Sequence, residues 1–508
     1  MLPPVGQRNL AASDEVRFVL AARHVLERGV GFGIKIRQTY FREKPPLYSW
    51  MIAGLSWPTG RVTPTTAQIP VGIAAVVAVV ATFLLGERLF DRPLGLGAAL
   101  ILATTYGFFS HSQYLLPDML VMAFMALASY AFWVAMHDPP ARGGLVGFYV
   151  AMALAVYAKG PMGLMPLLVG LVWIAMVHGP RAIPGRLWSP TGLALFGVIT
   201  LSWLGPFLAL GSSSFATDVL AKDWLRRYLG PPAFRKLALD TVVVLLPWTI
   251  VAPMVLTAAF RARGTPAVRF ALLSCVVPWL LLLPMEDLRT RYMLPVAPGL
   301  ALLVAWWLRH EARRPTPMGR IMGWVGLMAT AAIIVLIVRP TWFGPHGVYF
   351  VSWSPAAAAP LVLGLAVVGV SLWWGLNRGA PACLRYGVVA GMALLLAYGI
   401  WPYNASFNRR QDYPRLAALV GRHAQGADIG TFGGRWFAVD YYLGRSLHML
   451  TTFDELDTYT ARVDRPLLVL NGRTWNVVKH RLPEQFAVLG QMPLAGQEMF
   501  VVRRQPAP

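Results

Sequence analysis

The chain alternates long apolar runs with short polar breaks. A helix needs about 20 apolar residues to cross roughly 30 Å of hydrocarbon. Twelve stretches approach that length: 66–87, 94–111, 116–136, 144–158, 161–178, 190–210, 241–260, 268–284, 292–309, 318–338, 356–375 and 383–402. Three other segments are too long for simple turns. Residues 1–65 carry a helical pattern over 14–28 (Val16, Val19, Leu20, Val25, Leu26), with Ser13–Asp14 as a capping signal ahead of it. Residues 211–240 interleave Lys222, Arg226, Arg227, Arg235 and Lys236 with Trp224, Leu225, Tyr228 and Leu229, the pattern of a helix lying in the membrane interface. Residues 339–355 form a shorter loop. After residue 404 the pattern shortens, with strand-like runs at 427–432, 437–443, 466–471, 485–489 and 498–503 and helical patterns near 413–424 and 473–482. The expected fold is an α-helical polytopic membrane protein with a small C-terminal α/β domain. Its expected parts are a first outer segment at 1–65, a transmembrane domain of about twelve helices at 66–402, and the α/β domain at 403–508.

Composition supports this picture. The 508 residues are 56% hydrophobic and 13% charged, where a soluble domain carries about 25% charged residues. The net charge of +22 follows from 45 Lys and Arg against 23 Asp and Glu. The basic residues recur in alternate short loops, from Arg88 and Arg92 through Arg142 and Arg181 to Arg378 and Arg385. The positive-inside rule puts those loops in the cytoplasm, and residues 1–65 and the C-terminal domain outside, which is the periplasmic side of a bacterial inner membrane. Membrane lipids are the expected surroundings, and nucleic acid is not an expected partner. Cys275 and Cys383 sit in or beside apolar spans without a CxxC, and the histidines show no helical pair spacing, so neither a disulfide framework nor a metal site is expected.

Charge beside apolar spans costs roughly 2.5–3.5 kcal/mol at the bilayer centre, so it usually has a task or a partner. Six groups stand out: Asp14-Glu15-x-Arg17; Phe41-Arg42-Glu43-Lys44-Pro45-Pro46; Leu116-Pro117-Asp118; Tyr157-Ala158-Lys159-Gly160-Pro161; Arg226-Arg227-Tyr228; and Arg289-Thr290-Arg291-Tyr292. Each has an ordinary alternative. Asp14 and Asp118 suit helix caps, Glu43 and Lys44 a solvated ion pair, Lys159 a snorkelling side chain, and Arg227 and Arg291 interfacial anchors. All six fall on the outer side of the topology deduced from other residues. A rim holding several carboxylates and cations suits an anionic substrate and an activated nucleophile.

In this order the motifs resemble the bacterial branch of the dolichyl-phosphate-mannose–protein mannosyltransferase superfamily, in particular the aminoarabinose transferases of lipid A, which are membrane glycosyltransferases of the GT-C class. The resemblance runs by motif from residue 13 to about 310, and loosely into the C-terminal domain through Tyr441-Tyr442-Leu443-Gly444-Arg445. It implies a sugar donor on undecaprenyl phosphate, used on the periplasmic side, and a lipid A-like lipid, glycan or protein acceptor. It implies Asp14 as the acid that activates the acceptor or orders the site, oriented by Arg17. It places Glu43 and Lys44 at the donor phosphate and makes Asp118 a second acid. Lys159, Arg227 and Arg291, with Tyr292, then bind the phosphate or an anionic acceptor. No cofactor beyond the donor is implied. The family also has a transmembrane helix ahead of its first acidic motif, which the thirteen residues before Asp14 do not supply; an upstream helix is expected in a longer gene product.

Two alternatives are kept. A transporter or flippase of a lipid-linked sugar predicts charges near the midplane of spans, whereas these cluster at one rim. A binding or assembly protein accounts for residues 404–508 but leaves the clustered acids and cations without a role.

Overall fold

The computed structural model describes residues 5–504 except 30, 32, 38, 42–43, 138–141, 210–229, 311–314, 340–354, 425, 435, 464 and 483–485. The chain divides into two compact units. One comprises 42–51 and 68–402, the other 4–41, 52–67 and 403–508, apart from the first three residues.

The larger unit is helical. Among the described residues of the whole chain, six helices are long and apolar enough to cross a membrane: Pro64–Leu89, Asp118–His137, Pro161–His178, Pro317–Val338, Ala358–Arg378 and Cys383–His423. Pro180–Leu187 and Pro190–Pro206 form a bent pair at 76° that passes the same test together. Arg92–Ala103, Gly143–Lys159 and Pro266–Leu282 are apolar but shorter. This is a multi-pass membrane protein.

Several expected spans are interrupted for local reasons. The 94–111 stretch breaks between helices Arg92–Ala103 and Tyr106–His111. There the hydroxyls of Thr104 and Thr105 donate back to the carbonyls of Leu100 (2.7 Å) and Ile101 (2.8 Å). The 241–260 stretch divides into helix Phe234–Val244, a 3₁₀ turn at Trp248–Ile250 and helix Ala252–Arg261. Pro247 and Pro253 each lack the N–H that a continuous helix would need there. The expected interfacial helix falls mostly on 210–229, outside the described residues.

The smaller unit begins with helix Ser13–Arg28, as the periodicity predicts, but its cap differs. Ala12 holds the N-cap position without a side-chain bond, and Ser13 lies inside the helix. The buried Glu15 instead pairs with the Arg8 guanidinium. A two-stranded hairpin follows, β1 (Lys35–Ile36) and β2 (Thr39–Tyr40). The C-terminal sheet contains β3 (Ile429–Phe432), β4 (His448–Leu450), β5 (Leu467–Asn471), β6 (Phe486–Leu494) and β7 (Gln497–Arg504) in the order β4-β3-β5-β7-β6. β3 runs parallel to β4 and β5, and β7 runs antiparallel to β5 and β6. Leu456, Leu468, Leu470, Val478 and Val502 form its core.

Residues 437–443, expected as a strand, are a helix, Phe437–Leu443. Their aromatic and β-branched content reads as strand, but Gly444 ends the segment in the left-handed conformation of a helix C-terminus. The edge strand β4 has only three residues, two of them exposed, and offers no apolar alternation to read.

Candidate active site

Asp118 opens helix Asp118–His137, where unpaired backbone N–H groups favour a carboxylate. Lys159 closes helix Arg142–Lys159, whose carbonyl end favours a cation. Gly160 then turns the chain at φ 86°, a conformation that costs glycine little. The two helices pack on each other. The Lys159 ammonium donates to Asp118 Oδ1. Arg291, in the 3₁₀ turn Thr290–Met293, brings Nε to 3.6 Å from Asp118 Oδ2. The Tyr292 ring centre lies 4.4 Å from Lys159 Nζ, a cation–π contact. The Asp118 and Lys159 side chains are only 6% and 7% exposed.

Lys44 is half-buried and within electrostatic range of Lys159. Its segment is anchored by Trp50, whose ring meets Tyr157 edge-on at 5.9 Å, so two motifs more than a hundred residues apart are joined in packing.

Two further side chains belong here that sequence reasoning did not single out. His111 lies within electrostatic range of Asp118, Lys159 and Arg291, and its Nδ1 is 2.7 Å from the Gly107 carbonyl. Asp240 is a buried carboxylate that accepts from Thr290 Oγ1 at 3.1 Å and from Lys236 Nζ at 2.8 Å. It fixes the residue immediately before Arg291. The i,i+4 spacing of Lys236 and Asp240 was the available signal for that pair.

Asp118 Oδ1 accepts from Lys159 and Oδ2 faces Arg291, so this carboxylate positions both cations. Lys159 and Arg291 thus flank one carboxylate, and Lys44 lies within electrostatic range of Lys159. Such surplus charge in a partly desolvated place suits a phosphate.

Asp14 and Arg17 stand on helix Ser13–Arg28 of the smaller unit, with the Arg17 guanidinium 5.1 Å from the Phe41 ring centre and 6.0 Å from that of Phe437. Glu43 and Arg227 lie outside the described residues. Among the described residues no group of three or more His, Cys, Asp or Glu could hold a metal ion.

Residues 36–209 match the family model of dolichyl-phosphate-mannose-protein mannosyltransferases. The undecaprenyl phosphate-α-4-amino-4-deoxy-L-arabinose arabinosyl transferase 2 of Sodalis glossinidius is 26% identical over 428 residues, 78% of this chain and 74% of that protein. The enzyme of the same name from Pseudomonas fluorescens is 23% identical over 357 residues, 66% of this chain and 62% of its own length. The crystal structure of ArnT from Cupriavidus metallidurans bound to undecaprenyl phosphate superimposes with a TM-score of 0.80 at 19% identity, covering 99% of this chain and 95% of the other. The fold and the matched segment define an integral-membrane glycosyltransferase of the GT-C class. Over residues 36–209 the chain is similar to the dolichyl-phosphate-mannose-protein mannosyltransferases.

Proposed function

We propose that this protein transfers a sugar from an undecaprenyl-phosphate donor to a lipid, glycan or protein acceptor on the periplasmic face of the bacterial inner membrane. The observation that carries this reading is the pairing of Lys159 and Arg291 with Asp118, with Tyr292 against the Lys159 ammonium and Lys44 within electrostatic range of Lys159. The named activity of the relatives and the lipid bound in the ArnT crystal structure support the donor class.

The donor phosphate binds Lys44, Lys159 and Arg291, and Asp118 holds the latter two in place. The motifs assign Glu43 and Arg227 to the same phosphate. Asp14 takes the proton of the acceptor hydroxyl as its oxygen attacks the anomeric carbon. Arg17, three residues along the same helix, steadies that carboxylate. The C–O bond to phosphate breaks as the new glycosidic bond forms, so the configuration inverts and polyprenyl phosphate leaves with both electrons. The cations act on the charge that develops on the leaving oxygen, a kind of stabilisation whose removal costs about 10²–10³ in rate per donor.

A transfer assay in membranes carrying the protein, with radiolabelled undecaprenyl-phosphate sugars, tests this reading. Lys44→Ala is expected to lose at least about 10²-fold in transfer while retaining its thermal midpoint. Near-wild-type transfer by that variant would remove the phosphate assignment. Label that crosses the membrane on its original carrier would favour a flippase instead.

A further inference from the structure

The smaller unit carries an open cavity of about 560 Å³, a volume in the range of small-molecule sites. Its walls are the second half of helix Ser13–Arg28, strand β1 with the turn after it, and the segment from Asp440 to Ser446. Five cationic side chains line it (Arg23, Arg28, Lys35, Arg37 and Arg445) against two carboxylates, Glu27 and Asp440. Only Leu20 and Ile36 add aliphatic side chains, so the lining suits a polar ligand and not an acyl chain.

Arg37 is the built part of this site. It follows strand β1 at φ 57°, in the left-handed region where glycine or asparagine is the ordinary choice. Its Nε and Nη2 hold Asp440 at 2.6 and 3.1 Å, and the backbone N–H of Leu447 donates to the same carboxylate at 3.1 Å. The Arg37 side chain is 10% exposed, and its buried Nη1 has no hydrogen-bond partner among the described residues. Arg23 is likewise held in place, donating to the Tyr441 carbonyl at 3.0 Å with its guanidinium against the Tyr441 ring. The charged heads are therefore preset, with one carboxylate already consumed by Arg37.

We propose that this cavity binds the phosphate of a phosphorylated saccharide, as a second anion site separate from the Asp118–Lys159 cluster. Arg23 and Arg37, each held by its own hydrogen bonds, form the fixed part of the wall, and Arg28, Lys35 and Arg445 supply further positive charge to the phosphate. A phosphate monoester is the favoured class because it combines charge near −2 at neutral pH with three strong acceptors.

The test is calorimetric titration of the full-length, detergent-solubilised protein. One arm uses inorganic phosphate and glucose 1-phosphate; the other uses mixed micelles containing phosphatidic acid. The double variant Arg28→Gln, Lys35→Gln removes rim charge without exposing Asp440 and is expected to raise Kd at least tenfold at an unchanged thermal midpoint. Lys44→Ala is expected to leave this affinity as it is, which separates the proposal from the donor-phosphate reading. Binding in the soluble arm identifies a free sugar phosphate, and binding in the micelle arm alone identifies a lipid-borne phosphate; both support the site. No saturable binding in either arm, or equal Kd in wild type and the double variant, overturns it.

Discussion

Burying a lysine beside a helix end is tolerable only where opposite charge and π-electron density meet it, and Lys159 has both in Asp118 and Tyr292. That is why Asp118, Lys159 and Arg291 were legible in the sequence: charge inside apolar surroundings implies a compensating partner, although not which one. His111 and Asp240 were not legible. A lone histidine and an acid at i,i+4 from a lysine occur on many solvated helices, and only tertiary packing makes these two matter. The same scale governs His24, on helix Ser13–Arg28. Burial and the charge of Arg28 hold its imidazole below the usual value near 6.5, with Lys35 of β1 adding to the effect and Glu27 opposing it; Arg23, Arg37, Arg445 and Asp440 line the same cavity. The folded state thus favours neutral His24 more than the unfolded chain does. Its contribution to stability is present above about pH 6.5 and is lost as pH falls below it. Thermal midpoints at about pH 7.5 and about pH 5.5 should fall less in His24→Asn than in wild type; parallel falls would show that the imidazole carries no such linkage.

At the level of helices and strands, apolar run length announced most spans but could not announce their contacts. A Cβ added to Gly299 would sit 2.6 Å from the Cys275 nitrogen and 2.7 Å from the Ser274 carbonyl carbon. Helices Pro266–Leu282 and Val296–His310 therefore touch backbone to backbone there, the close approach that small residues allow inside membranes. Gly86 and Gly95 do the same, with 2.7 Å between the added Cβ of one and the Cα of the other. A glycine in an apolar run reads only as a dip in hydropathy, so sequence gives no view of this pairing. Gly299→Val is expected to destabilise the detergent-solubilised protein by about 1–3 kcal/mol through overpacking. Thermal unfolding checks this, and an unchanged midpoint would mean that the helices can separate freely. Residues 437–443 failed in the opposite direction. Their β-favouring composition was overridden by a helix stop at Gly444 and by the binding of Asp440 to Arg37.

For the molecule as a whole, sequence patterning separated the membrane part from the C-terminal domain but gave no hint that residues 4–41 cluster with 403–508. The Arg37–Asp440 pair closes a separation of 403 residues, and no periodicity encodes a contact of that range. Loop charge carries the orientation instead. The basic loops containing Arg92, Arg181 and Arg378 predict one side, and the C-terminal domain the other. Alkaline phosphatase, active only after export, should be active when fused after residue 504 and inactive when fused after Arg181. Activity at Arg181 would reverse the orientation and with it the periplasmic assignment.

The excess of cations around Asp118 has a kinetic consequence. On the proposed reaction the donor is a phosphodiester with a single negative charge, whereas the spent carrier is a monoester whose second ionisation lies near pH 6. A fixed cluster of Lys44, Lys159 and Arg291 grips the carrier harder after transfer than before it. On that reaction, an arrangement that lowers the barrier to bond cleavage also slows departure of what is left, so turnover is expected to be paced by release of the lipid carrier, at a rate that rises with ionic strength and falls as the second phosphate proton is lost.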